Sequence, residues 1–451
     1  MRIAVIGLGK LGSPLAAVLA SAGHTVVGVD RNADTVRLLS AGAAPVQEPG
    51  LQHLLHASGG QWKLTATTNC ADAVRSSDIT LVCVPTPSGQ DGLFTHDLLL
   101  QAVREVGDAL RGASSYHVLG VVSTVLPGTT AGSLKSALED SSQRQAGDDL
   151  GLCYTPAFVA LGSVVHDLQN PDFILIGEAS QDARAGDILD HVYRSLCANR
   201  PPVRRMAAVN AEITKLSINT YVTTRISYAN MLADLCERLP GADVDVVTEA
   251  IGLDARIGAG YLKAAVGYGG PCFPRDNLAL SALAHSLGAR SDIADATDRV
   301  NHYQVDRVLA RVREHAAPGA TVGILGLTYK PDTPVVDDSF GIALAQRLAA
   351  CGYRLLVSDP LGLEAAAAVL GSQAQPVSLA SCAAAADVLV IATPWAEYAR
   401  LHHDLLRRSG RRCVVLDCWR VLPRQSLCEV ADVVYLGLGA SAQGVGGVGS
   451  F

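Results

Sequence analysis

Residues 2–12, RIAVIGLGKLG, decide the fold of the first part of the chain. The apolar run 2–6 is typical of a buried strand, and three glycines spaced Gly-x-Gly-x-x-Gly follow it at once. An apolar helical pattern then covers 14–20, and a second strand at 25–29 ends in Asp30. Strand, glycine turn, helix and an acidic residue about 20 positions further on predict a Rossmann unit that binds a dinucleotide.

The same stretch predicts which dinucleotide is bound. The glycines let a pyrophosphate approach the helix N-terminus, where amides and the helix dipole favour an anion. Asp30 is placed to accept hydrogen bonds from ribose hydroxyls and to repel a 2′-phosphate, which favours NAD over NADP. Arg31 is the counter-argument, since it could pair with that phosphate. The cofactor contacts expected here are Gly7, Gly9, Lys10, Leu11, Gly12, Asp30 and Arg31.

Further strands are expected at α/β spacing, at 79–84, 118–123, 150–154 and 173–176. Two of them run into polar turns that contain proline, and such turns lie at the carboxyl ends of strands, where open parallel sheets bind ligands. These turns add four expected cofactor contacts, Pro85, Thr86, Ser123 and Thr124. The turn 155–162 is apolar and carries no obvious chemistry.

The middle of the chain is helical. A long stretch from Met206 to Leu239 lacks Gly and Pro and repeats apolar residues at helical spacing, and Val244–Ile251 forms a second helical pattern. Lys215 and Asn219 are four residues apart, so they project from one helix face. A helical lysine usually faces solvent, and that alternative stays open here.

The last third returns to the α/β rhythm, with strands at 321–325, 354–357, 387–392 and 414–416, but without a second Gly-x-Gly-x-x-Gly. The predicted fold is α/β, with two Rossmann-like doubly wound domains joined by a central all-helical domain that contains one long helix. The predicted boundaries are 1–200 for the first Rossmann domain, 201–300 for the helical domain, 301–440 for the second Rossmann-like domain and 441–451 for a flexible tail.

A glycine- and proline-rich decapeptide at 267–276, GYGGPCFPRD, ends the helical region, with a further helix expected at 277–287. The glycines allow a ligand close to Cys272, and the neighbouring Arg275 and Asp276 place a cation and a carboxylate near its sulfur. This pattern is typical of covalent catalysis by a thiolate. Because the chain has eleven cysteines, a structural buried cysteine is the open alternative.

Composition excludes several classes of protein. The chain has 451 residues, 49% of them hydrophobic, and a net charge of −7 with scattered basic residues, which argues against nucleic acid as a partner. No apolar run is long enough to cross a membrane, and a strand pattern starts directly at the N-terminus. The odd number of cysteines, without CxxC spacing, predicts reduced thiols in the cytoplasm and no metal site.

Several motifs, in order, carry a resemblance to a known family. They are Gly7-x-Gly9-x-x-Gly12, Val84-Pro85-Thr86-Pro87, Ser123-Thr124-Val125-x-Pro127-Gly128-Thr129-Thr130, Ala211-Glu212-x-x-Lys215-x-x-x-Asn219, Arg256-Ile257-Gly258, Gly269-Gly270-x-Cys272-x-Pro274-x-Asp276 and Gly326-x-x-x-Lys330. Over nearly its whole length the chain resembles the UDP-glucose/GDP-mannose dehydrogenase family. Its Pro271-Cys272-Phe273-Pro274 and the lone Asp30 look most like the UDP-glucose branch.

The resemblance implies an NAD-dependent, four-electron oxidation of a sugar C6 alcohol to a carboxylate, UDP-glucose to UDP-glucuronate. Cys272 would attack the intermediate aldehyde, and water would hydrolyse the thioester that the second oxidation forms. Lys215 and Asn219 would stabilise the developing oxyanion. Asp276 would hold or activate the water, and Thr124 would position it.

The resemblance also implies the substrate pocket and a subunit partner. Arg275 takes the place of a lysine, keeps its charge without being able to lose a proton, and counts as a cofactor contact. Arg256 in this family commonly reaches the substrate across a dimer interface, so a homodimer through the central domain is expected. The implied substrate contacts are Phe158, Val159, Ala160, Leu161, Lys215, Asn219, Arg256, Tyr261, Gly269, Cys272, Lys330 and Arg420.

Two motifs depart from the family pattern. The loop Asn-Pro-Glu-Phe-Leu-x-Glu-Gly stands here at 155–162 as TPAFVALG, so both glutamates are missing, at Ala157 and Leu161. One of them normally assists thioester hydrolysis, and the chain is either an engineered alanine variant or a member that hydrolyses slowly or not at all. The motif Asp-Asp-x-Arg-Glu-Ser reads PVVDDS at 334–339, so an arginine that helps hold NAD is absent.

Three alternatives to UDP-glucose oxidation stay open. A UDP-N-acetylhexosamine or GDP-mannose could be the substrate within the same class. A two-electron hydroxyacid-type dehydrogenase shares the helical lysine and asparagine but has no use for Cys272 or the third domain. A catalytically silent nucleotide-sugar binder fits the lost glutamates, but it has no need of Lys215, Cys272 and Asp276.

Overall fold

The computed structural model describes residues 1–57, 63–180, 183–401, 412–423 and 432–441. The chain divides into two compact units, Met1–Ile218 and Asn219–Phe451, with the boundary inside one long helix. Of the flexible tail predicted at 441–451, residues 442–451 lie outside the described part of the chain.

The first unit is built on an eight-stranded sheet in the order β3-β2-β1-β4-β5-β6-β7-β8. Every neighbouring pair is parallel except β6 and β7, which are antiparallel. The strands are β1 (Arg2–Ile6), β2 (Thr25–Val29), β3 (Leu64–Thr67), β4 (Ile79–Val82), β5 (His117–Val121), β6 (Leu150–Tyr154), β7 (Ile174–Glu178) and β8 (Val203–Ala207).

Helices cover both faces of this sheet, so its central strands are buried on both sides and read as continuous apolar runs. A π-helical turn, Thr130–Leu134, leads directly into α6. The helices of the first unit are α1 (Gly12–Ser21), α2 (Ala33–Ser40), α3 (Leu51–Ala57), α4 (Cys70–Arg75), α5 (Asp97–Leu110), α6 (Lys135–Ser142), α7 (Val164–Gln169) and α8 (Ala183–Leu196), and α9 (Ala208–Arg238) begins there.

The order of β3-β2-β1-β4-β5-β6 is that of a Rossmann sheet, with its switch point between β1 and β4. Gly12 shows why the motif needs a glycine at the start of α1. A Cβ atom on Gly12 would run into the carbonyl oxygen of Gly7. The glycine therefore lets α1 begin directly against the turn that follows β1.

The second unit contains the rest of the central helices and a six-stranded sheet. All its strands are parallel, in the order β11-β10-β9-β12-β13-β14, which repeats the Rossmann order of the first sheet. The strands are β9 (Thr321–Leu325), β10 (Arg354–Ser358), β11 (Gln375–Pro376), β12 (Val388–Ile391), β13 (Cys413–Asp417) and β14 (Val433–Gly437). The helices are α10 (Val244–Gly252), α11 (Phe273–Ser286), α12 (Asp292–His315), α13 (Phe340–Ala350), α14 (Leu363–Leu370) and α15 (Leu379–Ala385).

The predicted fold class is confirmed, with two parallel Rossmann-like sheets and a helical region between them in the sequence. Two predicted boundaries are wrong. Met206 and Ala207 end β8 rather than beginning the long helix. The helix expected at 277–287 begins four residues earlier, at Phe273, because Pro274 fits the first helical turn, where its missing N–H costs nothing.

The described residues lack membrane-spanning helices, metal-binding clusters and disulfides. None of their helices combines the length and apolar character needed to cross a bilayer. No group of three or more His, Cys, Asp and Glu side chains among them is arranged to hold a metal ion. The ten cysteines in these ranges form no disulfides.

Candidate functional site

A cavity of about 230 Å³ opens at the carboxyl ends of β1, β2 and β4, at the switch point of the first sheet. The predicted cofactor residues Gly7, Asp30, Arg31 and Pro85 all line it. Lys10 is exposed on the turn after β1, and Leu11 is the N-cap residue of α1. Of the residues predicted from the glycine motif, the structure places Gly7, Asp30 and Arg31 around this one cavity.

The charges around this cavity suit NAD. Asp30 is fixed by two backbone amides, with Leu8 N and Asn32 N each donating to one of its carboxylate oxygens at 2.8 Å. Arg31 pairs with Glu105 at 3.1 Å, so its cation already has a carboxylate partner in the cavity wall. A 2′-phosphate would meet two carboxylates and one neutralised arginine, which is unfavourable.

The two polar turns after β4 and β5 are tied to each other. The Thr86 hydroxyl donates to the carbonyl oxygen of Thr124 at 2.7 Å, and the Ser123 hydroxyl donates to the carbonyl oxygen of Val84 at 2.7 Å. Both hydroxyl-bearing residues are buried. These hydrogen bonds connect the two turns at the carboxyl ends of β4 and β5. The turns contain three residues that the turn pattern predicted, Thr86, Ser123 and Thr124.

Glu212, at the start of α9, fixes the far end of the second turn. Its carboxylate accepts hydrogen bonds from Gly128 N at 2.6 Å and Thr130 N at 2.7 Å. The side chain is fully buried, and this burial raises the pKa of Glu212. A carboxylate on the long helix therefore sets the backbone path that follows Thr124.

Lys215 points inward and not to solvent, so the solvent-facing alternative is wrong. It is 8% exposed, and its Nζ donates to the carbonyl oxygen of Ala157 at 2.9 Å. The ammonium also lies 4.8 Å from the ring centroid of Phe158, which packs on Phe173. Lys215 therefore meets the loop 155–162, in which the resemblance placed the substrate contacts Phe158, Val159, Ala160 and Leu161.

Two carboxylates bind backbone amides toward the other end of this loop, and neither could be predicted from a sequence motif. Glu48 accepts hydrogen bonds from Gly162 N at 2.9 Å and from Val164 N at 2.8 Å, and it is 9% exposed. Asp167 accepts from Ala160 N at 2.9 Å. Glu48 lies 114 residues before Gly162 and belongs to no recognised motif, so only the folded structure connects them.

The second unit carries the thiol and its neighbours. Cys272 is exposed and is the N-cap residue of α11, so its sulfur lies at the positive end of a helix dipole, which favours the thiolate. Asp276 follows in the first turn of α11 and is fully buried. The exposed position of Cys272 contradicts the alternative of a buried structural cysteine.

Asp276 is the centre of a compact polar cluster. One carboxylate oxygen accepts from Asn219 Nδ2 at 2.6 Å, and the other accepts from Arg275 Nε at 3.0 Å and Nη2 at 2.8 Å. The structure therefore brings three predicted residues together. A buried carboxylate with these charged and neutral donors is satisfied, as a buried charge must be.

Models of one protein family match the chain in three consecutive segments. The NAD binding domain of the UDP-glucose/GDP-mannose dehydrogenase family matches residues 1–197, its central domain residues 209–303 and its UDP binding domain residues 323–424. The chain belongs to this family. The predicted NAD cofactor and the predicted NAD-dependent nucleotide-sugar 6-dehydrogenase activity are thereby confirmed.

Individual relatives agree with the family match. The chain is 35% identical over 437 residues to the UDP-glucose 6-dehydrogenase AglM of Haloferax volcanii, covering 96% of this chain and all of that protein. It is 34% identical over 361 residues to a GDP-mannose 6-dehydrogenase of Pseudomonas putida, covering 80% and 81%. A solved UDP-glucose dehydrogenase of Pyrobaculum islandicum superposes with a TM-score of 0.87 at 34% identity, covering 97% and 98%.

The remaining predicted residues of this dehydrogenase lie in different environments. Arg256 is exposed and pairs with Asp254, Tyr261 is exposed, and Gly269 is buried beside the loop that contains Asp338. Lys330 lies 5.9 Å from the ring centroid of Tyr329. None of these contacts by itself assigns a ligand to the residue.

Arg420 lies in a partly buried ionic contact. Its guanidinium donates to both carboxylate oxygens of Asp245, at 2.7 and 2.6 Å, and also to the carbonyl oxygens of Ala264 and Leu438. Its side chain is 10% exposed. A sugar nucleotide that used Arg420 would have to compete with Asp245 for the guanidinium.

Asp359 occupies the same place in the second Rossmann sheet that Asp30 occupies in the first, and it is buried. Asp359 follows β10 as Asp30 follows β2, and it accepts from Leu327 N at 2.7 Å just as Asp30 accepts from Leu8 N. Here the carboxylate also accepts from Trp395 Nε1 at 3.3 Å and is 5% exposed. In this sheet, which lacks a Gly-x-Gly-x-x-Gly turn, the carboxylate of Asp359 therefore already has hydrogen-bond partners within the protein.

Proposed function

We propose that the protein oxidises the C6 alcohol of UDP-glucose to the carboxylate of UDP-glucuronate through a covalent adduct on Cys272. The single observation that carries this proposal is an exposed cysteine at the N-terminus of α11, one turn from the buried Asp276 that Asn219 and Arg275 hold. UDP-glucose is favoured because the relatives covering nearly the whole chain are UDP-glucose 6-dehydrogenases. GDP-mannose is the second candidate, motivated by the Pseudomonas relatives.

Residues around the crevice of the first sheet would hold the cofactor. Asp30 would accept from the adenosine ribose, and the turn Gly7–Gly12 would carry the pyrophosphate. Lys10, Leu11, Pro85, Thr86, Ser123 and Thr124 complete these contacts, and Arg275 is a further proposed cofactor contact on the ground of the family resemblance alone. NAD, when bound, accepts the hydride in each of the two oxidations.

The chain supplies a nucleophile and proton carriers for the reaction. The first oxidation removes a hydride and a proton from the alcohol and gives an aldehyde. The Cys272 thiolate then adds to the aldehyde carbon, and the oxygen takes a proton, giving a thiohemiacetal. Loss of a second hydride and of the hydroxyl proton gives a thioester, and water replaces the sulfur to release the carboxylate and the thiol.

Each polar residue has a proposed role. Lys215 and Asn219 would stabilise the oxyanion that develops at carbon 6. Lys215 would also take the alcohol proton as the neutral amine, and the ammonium formed in this way would face the developing oxyanion. Asp276 would hold the hydrolytic water, and Thr124 would orient it.

We propose that thioester hydrolysis is the slow step in this member of the family. Position 157 offers only a methyl group and a carbonyl oxygen that already accepts from Lys215. Leu161 likewise offers no carboxylate. Glu48 and Asp167 bind backbone amides of the loop through their carboxylates and are therefore poor replacements for the missing base.

The substrate contacts and subunit partner are also proposals. We keep Phe158–Leu161, Arg256, Tyr261, Gly269, Lys330 and Arg420 as sugar-nucleotide contacts, and the domain limits 1–200, 201–300 and 301–440. A homodimer is supported by exposed apolar side chains at near-heptad spacing on α9, namely Tyr221, Tyr228, Met231 and Leu235. Reduced thiols fit a cytoplasmic protein.

Counting NADH per sugar nucleotide tests the proposed function. The protein is mixed with NAD and with UDP-glucose, GDP-mannose or a UDP-N-acetylhexosamine in separate reactions. Two NADH per UDP-glucose, or a burst of two per active site followed by a stall, supports the proposal. One NADH per sugar indicates a two-electron dehydrogenase, a faster reaction with another sugar nucleotide reassigns the substrate, and no NADH indicates a binding protein.

A further inference from the structure

The segment that leads to Cys272 is buried but has no regular secondary structure. Residues 262–271 belong to neither helix nor strand, yet Leu262, Ala265, Val266 and Tyr268 are all buried. Buried backbone amides and carbonyls that are not in helices or sheets must find other partners. The partners of this segment therefore determine where Cys272 lies.

Asn230, on α9, binds the middle of the segment. Its Oδ1 accepts from Ala265 N at 2.9 Å, and its Nδ2 donates to the carbonyl oxygen of Val266 at 2.8 Å. The side chain is 1% exposed. One side-chain amide thus satisfies the backbone N–H of Ala265 and the backbone carbonyl of the next residue, Val266.

Asn301, on α12, makes the same kind of contact closer to the thiol. Its Oδ1 accepts from Tyr268 N at 2.7 Å, and its Nδ2 donates to the carbonyl oxygen of Tyr268 at 3.0 Å. Gly267 lets the two approach, because a Cβ atom there would lie 2.6 Å from Asn301 Oδ1. Just beyond, Gly270 N donates to the carbonyl oxygen of Asp337 at 3.0 Å.

A carboxamide can make these paired contacts from one uncharged side chain. Asn presents a donor and an acceptor side by side, whereas a carboxylate only accepts and an ammonium only donates. Each asparagine side chain projects from a helix, Asn230 from α9 and Asn301 from α12. The two side chains therefore hold the backbone of the segment at 265–266 and again at 268. Cys272 is the fourth residue after the second contact, with three residues between them.

We propose that Asn230 and Asn301 are positioning residues that hold the Cys272 thiolate where the aldehyde intermediate forms. This proposal rests on the proposed function of Cys272 as the nucleophile. Neither asparagine touches the reacting atoms in the proposed chemistry. Their effect on the reaction passes through the backbone of residues 265–271.

The proposal predicts a selective kinetic defect. Removal of the first hydride needs no thiol, whereas removal of the second needs the sulfur bonded to the aldehyde carbon. A displacement of about 1 Å at a reacting group can cost about 10²-fold in rate. Loosening the segment should therefore slow the second oxidation about 10²-fold and leave the first within about threefold of wild type.

Rapid mixing of enzyme with NAD and UDP-glucose, followed as NADH formed per active site, measures both oxidations. The variants are Asn301→Ala, Asn301→Asp and Asn230→Asp. The aspartates keep the acceptor and the size but lose the donor, so they test the contact even if the alanine variant fails to fold. Gln304→Ala is the matched control, because this buried amide, also on α12, bonds to Val300 and Arg307 instead.

Two further measurements follow the thiol directly. Mass spectrometry quantifies the sugar-nucleotide adduct on Cys272, and alkylation by iodoacetamide without cofactor or substrate gives its reactivity as a function of pH. The proposal expects one NADH per site in the fast phase of the Asn301 and Asn230 variants, less adduct, and a changed alkylation profile. The control should keep the wild-type ratio of the two phases.

Equal loss of both phases in the asparagine variants, with an unchanged alkylation profile, would mean a purely structural role and would overturn the proposal. An unchanged reaction in the Asn301→Asp and Asn230→Asp variants would overturn it as well. Failure of the wild-type protein to form any NADH or adduct is a different result. That result would refute the proposed function of Cys272 and not merely the role of the asparagines.

Discussion

Restoring a carboxylate at position 157 is the change that most sharply separates hydrolysis from oxidation. Ala157 is half-buried, and its methyl group cannot act as a base. Its carbonyl oxygen accepts a hydrogen bond from the Lys215 ammonium. In Ala157→Glu the new carboxylate would share the loop with this cation. At a separation of about 5 Å and an effective dielectric constant of about 20, their attraction is about 3 kcal/mol. The Glu would therefore stay ionised and able to take a proton from water.

A well-placed general base typically contributes about 10²- to 10⁴-fold in rate. If hydrolysis limits turnover, Ala157→Glu should raise the steady-state rate toward that range, until an oxidation step becomes limiting. The two burst-phase hydride transfers proceed without a carboxylate at 157 in the wild-type protein, so the rate gain should appear in the steady state and not in the burst. Stopped-flow NADH absorbance measures the burst and the steady state in one experiment.

Ala157→Gln is the matched control, because it adds a side chain of the same size at the same half-buried position. It lacks the carboxylate and therefore cannot act as the general base. A rate gain in Ala157→Glu that the control lacks supports the reasoning. No gain in Ala157→Glu, with folding and the burst intact, would show that a carboxylate at 157 is not the missing base and that Asp276 acts alone.

Three further predictions follow from the described contacts. NAD should be preferred to NADP by at least about tenfold, or about 1.4 kcal/mol. The reason is that Asp30 and Glu105 both line the cavity and would repel the 2′-phosphate of NADP. Equal initial rates with the two cofactors at subsaturating concentration would contradict this prediction. Glu48→Ala should raise the Kd for UDP-glucose and leave the Kd for NAD unchanged, because two loop amides lose their acceptor; calorimetric titration with each ligand checks it. Burial lowers the pKa of His117 to about 4, so stability should fall as pH drops from about 6.5 toward 4. Between pH 7 and 4.5 wild type should lose about 2.5 kcal/mol more than His117→Gln in urea unfolding, and parallel losses would refute it.

The sequence predicted those parts of the molecule that depend on short-range patterns. Strand β1, the glycine turn and Asp30 are contiguous or nearly so, and their chemistry determines the fold around them. The predicted helix at 277–287 begins too late, because glycine and proline usually indicate a loop. The structure starts α11 at Phe273. Pro274 in fact occupies a position at which proline is favoured, the first turn of a helix.

Contacts between distant residues were beyond what the sequence could predict. Helical spacing puts Lys215 on a face of α9, but it does not say that the loop at Ala157 covers that face. The same holds for Glu48 and the loop amides, and for Asn301 and Tyr268, which are 33 residues apart. The role of a polar side chain depends on which backbone groups it meets, and that is a property of the folded chain.

The proposed reaction depends on covalent attachment of the substrate to Cys272 during oxidation. Intact-protein mass spectrometry after mixing the protein with NAD and UDP-glucose tests this most directly, with Cys272→Ser treated in the same way. The wild-type protein should gain the mass of a sugar-nucleotide acyl group, located on Cys272 by peptide mapping, and Cys272→Ser should gain none while still binding NAD. Wild-type-like NADH production and acid formation by Cys272→Ser, or an adduct on another residue, would contradict the account.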